Sequence, residues 1–324
     1  MACMKSIVEQ SLPDFEAIVV DDGSNDGTAD IAREFSTRDP RVRVVSNEAN
    51  LGLVGNWNRC LGLARGEWIK FVFQDDTISS TCLADLLDVG ERTGCPLVFG
   101  RRDFLFEGDV ATETRRKYLE GAARIERLFP SSAFTSAKDF GQLALAQSDQ
   151  NFIGEPVAVL FRRELTHRVG NFNPRLAVFC DMEYWMRAGV NTGIAHAAQK
   201  VASFRVHEAS TTSRSARDHH YRMFVLDHVV VSHEFAFHPA YAPLRREAAS
   251  QGIDLRKRFE EKVTWARGRA ARAADEVDGK DRSLLQDLEA LEAAYPRIRR
   301  LAWRQRRARS VGRLVESVSR LFRK

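Results

Sequence analysis

Residues 17–28 read Ala-Ile-Val-Val-Asp-Asp-Gly-Ser-Asn-Asp-Gly-Thr. The β-branched run Ile18-Val19-Val20 has the composition of a buried parallel strand. It stops at two carboxylates, Asp21 and Asp22. Gly23 to Gly27 then make a turn, and a helical pattern begins at Thr28. Strand, tight loop and helix in this order build an open α/β sheet, in which ligands bind outside the carboxyl ends of the strands. Adjacent carboxylates there repel each other and lose solvation, so a cation, or ribose and base donors, would offset the cost. A second stretch repeats the design: the largely apolar run Trp68 to Phe73 ends in Gln74-Asp75-Asp76-Thr77. Two strands that both finish in Asp-Asp predict one acidic, metal-assisted site at one edge of one sheet.

Outward from these stretches the elements alternate. A helix is predicted over 1–12, with Met4, Ile7 and Val8 as its apolar stripe and Pro13-Asp14 as its end. Helices over 29–35, 53–65 (closed by Gly66) and 81–93 alternate with strands over 41–46 and 96–99. This alternation predicts a parallel, doubly wound sheet. From 101 to 150 the pattern weakens to one helix over 136–147. A strand over 157–161, an acidic turn running into a helix within 176–187, and a strand over 201–206 follow. Everything after 217 reads helical, with the best hinge at 275–281. The chain divides into 1–100, 101–215 and a helical extension, 216–324.

Composition places the chain among ordinary globular proteins, and 324 residues allow one large or two modest domains. The five cysteines are scattered without metal or redox spacing and read as reduced thiols. No signal peptide and no membrane span are legible, so a cytoplasmic protein is expected. The net charge of +5 is uneven: residues 297–324 hold eleven basic residues against Glu316, about +10, and the remainder is mildly acidic. Leu301, Val311, Leu314, Val315, Val318, Leu321 and Phe322 recur there at helical spacing, so 298–324 predicts a basic amphipathic helix. Such a helix can lie on an anionic membrane face, pack on its own domain or self-associate. No nucleic-acid motif accompanies the charge, so no nucleic-acid partner is expected.

The order Pro-Asp-Phe-Glu (13–16), Ile-Val-Val-Asp-Asp-Gly-Ser (18–24), Asn-Leu-Gly (50–52), Ala-Arg-Gly-Glu (64–67) and Phe-Gln-Asp-Asp (73–76) resembles the family 2 glycosyltransferases. The resemblance continues through Gly154-Glu155-Pro156, Asp181 to Arg187 and Arg205-Val206-His207, and fades after about Ser215. It implies the GT-A fold, with a mostly parallel α/β sheet flanked by helices, and inverting transfer from a nucleoside-diphosphate sugar to a saccharide or lipid-linked acceptor. Such enzymes commonly build bacterial surface polysaccharides. It further implies a nucleotide-binding set of Asp21, Asp22, Gly23, Ser24 and Asn50, in which Asp22 contacts the nucleoside and Asp21 helps shape the loop. Asp75, backed by Asp76 and joined by His207, would hold Mg²⁺ or Mn²⁺, and Asp181 would be the general base, with Glu183 in reserve. Two departures stand out. The usual Asp-any-Asp metal motif has Phe73 at its first position. The family's opening strand, which helps hold the base, is missing, which implies a fragment or an incomplete reading and would leave open ladders on both neighbouring strands.

The chemistry agrees with the residues. A leaving diphosphate concentrates negative charge that a divalent metal neutralises, and an acceptor hydroxyl must lose a proton to a placed carboxylate. Each residue also has a plainer reading: turn chemistry for Asp21 and Asp22, an exposed turn for Asp75, a helix cap for Asp181, core filling for Trp57 and Trp185. A non-catalytic module acting through its helical extension is the alternative function. A nucleotidyltransferase lacks the Gly-rich phosphate loop it would need.

Overall fold

The computed structural model describes residues 1–129, 134–148, 150–207, 225–276 and 283–301. The chain opens with α1 (Ala2–Val8), whose Met4 joins Ala17, Phe35 and Val42 in a small cluster. Strand β1 (Ala17–Asp21) pairs in parallel with β2 (Val42–Ser46) through α2 (Thr28–Arg38), and these two strands form a sheet of their own. After α3 (Gly52–Leu63) comes a six-stranded sheet. Its order is β3 (Trp68–Lys70), β7 (Val159–Arg162), β5 (Leu97–Phe106), β8 (Ile194–Val206) and β4 (Thr77–Ile78), with β6 (Phe134–Thr135) also on β8. The helices α4 (Cys82–Thr93), α5 (Thr112–Leu128), α6 (Ala137–Ala146), α7 (Glu164–Val169) and α8 (Cys180–Thr192) connect and cover it.

The architecture is α/β, and its pairing is mixed rather than doubly wound and parallel. β5 and β8 are parallel, whereas β7 runs antiparallel to both β3 and β5. β4 and β6 also run antiparallel to β8. The cause lies in 107–158: this stretch carries α5 and α6 and returns the chain in the opposite sense between two strands that are parallel to each other. β1 and β3 are edge strands. Along β1, Ala17 and Asp21 bond toward β2, so Ile18 and Val20 face the open side, where Asn56 Nδ2 donates to the Val20 carbonyl at 3.1 Å.

The main core runs from Val54 to Ile298. Trp57 stacks on Phe73 at 5.1 Å and meets Phe172 edge-on at 5.2 Å. Every residue from Met182 to Val190 is buried, so Trp57 and Trp185 fill core. A helix over 225–237 (α9) adds Val229, Val230 and Val231 to the same core, followed by α10 (Ala242–Ser250), α11 (Leu255–Glu276) and α12 (Ser283–Ala294). Helix α3 stops at Leu63 with Ala64 extended, so Gly66 is not its cap; the Arg65 and Gly66 N–H groups donate to Glu16. Most of the predicted hinge at 275–281 and of the predicted basic helix at 298–324 lies outside the described residues. Among the described residues no helix is long and apolar enough to cross a membrane.

Candidate active site

The loop after β1 is built by its own carboxylates. Asp21 Oδ1 accepts the Ser24 N–H at 3.1 Å, and Gly23 takes φ +85°, a conformation that suits glycine. Asp22 Oδ1 accepts from the Leu51 N–H and from Asn47 Nδ2, both at 2.8 Å. Asn50 Nδ2 donates to the Asp22 carbonyl at 2.9 Å. Thus Asp21 shapes the turn, and Asp22 and Asn50 fasten it to the start of α3. Sequence reasoning did not single out Asn47, which reaches both Asp22 and Asn56 Oδ1. Asn56 holds β1 and its neighbour Trp57 stacks on Phe73, two residues before Asp75, so α3 braces both the end of β1 and the turn between β3 and β4 that carries Asp75.

At the second pair the two carboxylates part. Asp75 Oδ2 lies 3.1 Å from His207 Nε2, and the Asp75 carbonyl accepts from Arg205 Nε at 2.7 Å. Asp76 points inward, is 1% exposed and accepts the Arg205 N–H at 2.9 Å. Burial pushes its carboxyl up to about 7, against the pull of that N–H and with a further push from Asp75 and Glu155. Its Oδ2 is buried without a hydrogen-bond partner. Among the described residues no three His, Cys, Asp or Glu side chains converge as a metal cluster, so the structure joins Asp75 to His207 and sets Asp76 behind them. A Mg²⁺ or Mn²⁺ site that takes one or two protein ligands and completes its shell with phosphate and water fits this set, and the unpartnered Asp76 oxygen fits it too.

Asp181 sits in the first turn of α8. Its Oδ1 accepts the Met182 N–H at 2.6 Å, and Asn151 Nδ2 approaches its Oδ2 at 3.4 Å. Burial pushes this carboxyl to about 7; the Met182 N–H lowers it and Glu155 raises it. Asn151 is a residue that sequence reasoning missed. Its Oδ1 accepts the N–H groups of Gly154 and Ile153, and Asn three residues before Gly is the turn signal that could have revealed it. Gly154 has φ +123°, and a Cβ there would lie 2.6 Å from Arg102 Nη1. Arg102 in turn pairs with Glu155. The Glu155 charge adds a small upward push to the carboxyls of both Asp76 and Asp181. Glu183, the reserve candidate, is closed off: it binds Arg187 through both oxygens and accepts from the Tyr241 hydroxyl at 3.1 Å. The turn ahead of α8 is clamped by Asp227 of α9, whose carboxylate accepts the N–H groups of Ala177, Val178 and Phe179 at 2.7–3.1 Å.

Residues 2–170 match the model of Glycosyl transferase family 2. An uncharacterized protein of Mycobacterium tuberculosis is 33% identical over 209 residues, 64% of this chain and 63% of its own length. The uncharacterized glycosyltransferase EpsJ of Bacillus subtilis is 32% identical over 166 residues, 51% of this chain and 44% of its own. Both matches span less than two thirds of those relatives. Among solved structures, S. aureus TarS 1-349 in complex with UDP-GlcNAc superposes with a TM-score of 0.57 at 17% identity, covering 81% of this chain and 74% of that one. The mannosyltransferase PcManGT of Pyrobaculum calidifontis, in complex with GDP-Man and Mn²⁺, gives 0.52 at 17%, covering 91% and 76%. At these identities the likeness is one of fold, and it is the GT-A fold expected from the motifs. With the family model matched over more than half of its length, the chain belongs to glycosyltransferase family 2.

Proposed function

We propose that this chain is an inverting glycosyltransferase that moves a sugar from a nucleoside-diphosphate donor to an acceptor hydroxyl in bacterial glycan or glycolipid synthesis. The observation that carries the reading is the meeting of Asp75 Oδ2 with His207 Nε2 at 3.1 Å, next to a buried Asp76 whose Oδ2 has no hydrogen-bond partner. Asp22, Asn50 and the Gly23-Ser24 turn receive the nucleoside. Asp75 and His207, backed by Asp76, would hold Mg²⁺ or Mn²⁺, which when bound neutralises the leaving diphosphate as a Lewis acid. Asp181 takes the proton of the acceptor hydroxyl as its oxygen attacks the anomeric carbon and the bond to the diphosphate breaks. Direct displacement by one nucleophile inverts that carbon. The two neighbours bound to UDP-GlcNAc and GDP-Man support a nucleotide-sugar donor, and the one bound to Mn²⁺ supports the metal. Residues 298–324 supply a peripheral contact with an anionic membrane at its cytoplasmic face.

The open edges of β1 and β3 favour one other reading, a non-catalytic module of the same fold. Release of nucleotide from a panel of UDP-, GDP-, dTDP- and CDP-sugars with Mn²⁺ decides between them. The transferase reading expects turnover of one donor that Asp181→Asn slows by about a hundred-fold or more without weakening donor binding. Turnover indifferent to Asp181→Asn removes the base from its role, and no turnover of any donor favours the module.

A further inference from the structure

A cavity of about 300 Å³ opens between β5, α5 and the 150–155 loop, one residue removed from Asp181, which meets its lining through Asn151. Asn151 and Glu155 line it, and these are the residues that touch or electrically face Asp181. From α5 come Lys117, Tyr118, Gly121 and Arg124, at the spacing of a single helix face. Three of the lining residues, Arg102, Lys117 and Arg124, are basic, against one acid, Glu155. Arg102 is matched by Glu155, and Lys117 is only 3.7 Å from an exposed Glu113, while Arg124 has no ion-pair or hydrogen-bond partner among the described residues. The Tyr118 hydroxyl also has no hydrogen-bond partner among them, and burial pushes it up to about 12, so it keeps a proton to donate. Gly121 stands in mid-helix, where glycine is an unfavourable choice, yet a Cβ there would meet nothing within 4 Å. The space in front of it is open.

Resting on the transferase reading, we propose that this cavity is the acceptor site and that it takes a sugar carrying an oxyanion, a phosphate or a carboxylate. Arg124 and Lys117 hold the anion, the Tyr118 hydroxyl donates to the ring, and an acceptor hydroxyl is presented to Asp181. An unpaired guanidinium and an ammonium on one wall recognise oxyanions far better than neutral hydroxyls. A neutral sugar would leave Arg124 desolvated and unmatched.

The test titrates the full chain, with donor nucleotide and Mn²⁺ present, with glucose, glucose 6-phosphate and glucuronate by saturation-transfer NMR. At least one of the anionic sugars is expected to bind about ten-fold or more tighter than glucose, and which one does identifies the oxyanion. The gain falls as salt is raised. Arg124→Gln removes it, and Gly121→Leu, which fills the cavity from a helix position that tolerates leucine, abolishes binding while the melting temperature holds. Anionic sugars binding no better than glucose, or binding both variants as they bind the parent, overturn the proposal. Nucleotide binding is followed separately. Its loss with anion binding intact sinks the transferase reading and leaves the site, and the reverse sinks only the site.

Discussion

Asp227→Ala tests how the helical extension serves the site. The native carboxylate is 1% exposed and accepts three main-chain N–H groups ahead of α8, so water cannot replace it in a tightly closed core. Each orphaned donor costs about 1–3 kcal/mol, about 3–9 in sum. Against this, burial pushes the Asp227 carboxyl up to about 6 from 3.8, so removing it relieves about 3 kcal/mol of desolvation at neutral pH. The net loss is about 0–6 kcal/mol, centred near 3, or a fall in melting temperature of about 5 °C at that centre for a chain of this size. Asp227→Asn keeps one oxygen where Oδ2 receives Val178 and Phe179, and should lose only about 1–2 kcal/mol. The second readout is the pH dependence of turnover. A loosened α8 entrance lets water reach Asp181, and its apparent pKa falls toward the ordinary carboxylate range. Thermal and urea melts and a pH–rate profile of each variant provide the assay. If Asp227→Ala melts within about 1 kcal/mol of the parent and leaves the profile in place, the clamp does not hold the base.

Gly154→Ala sets a Cβ 2.6 Å from Arg102 Nη1 at φ +123°, and should cost about 1–3 kcal/mol in a melt while slowing turnover through the Arg102–Glu155 pair. Because Asp181 must be ionised to act as base and its carboxyl is pushed to about 7, kcat/KM should rise through about pH 7 and level off above it; a flat profile from about pH 5 to 8 would count against that role. The same shifts have a stability consequence. Asp76 and Asp181 hold protons more tightly folded than unfolded, so the metal-free protein loses stability as pH rises from about 4 to 7. Mn²⁺ should restore more melting temperature at pH 8 than at pH 5, which differential melts would show.

The loops around Asp22 and Asp75 could be read from the sequence because an apolar run ending in paired carboxylates is a local signal, but one shared sheet edge could not: β1 lies in a two-stranded sheet and β3 in the six-stranded one, and β3 stops at Lys70, ahead of the turn that carries Asp75. The direction of β7 could not: Val159 to Phe161 is equally apolar in either sense, and its pairing depends on the 50-residue return before it. Helix α5 was hidden because Ile125 is its one residue buried in the core amid a charged surface. Asn151 and Asp227 were hidden for another reason. The Asn151 turn is local, but its contact with Asp181 spans 30 residues and that of Asp227 with the turn before α8 about 50, so those roles exist only after folding. Gly121 and Arg124 likewise acquire meaning only when α5 closes over the 150–155 loop.

The central claim is a metal-assisted nucleotide-sugar site, and its most direct measurement is a thermal-shift panel of UDP, GDP, dTDP and CDP, each with and without Mn²⁺, on the parent and on Asp75→Asn. A ligand at a hundred times its dissociation constant stabilises by about 2.7 kcal/mol, enough to move the melt by several degrees. The account predicts that one nucleotide and Mn²⁺ together raise the midpoint and that Asp75→Asn removes the metal-dependent part. A cooperative melt that no nucleotide moves, with or without metal, would contradict it.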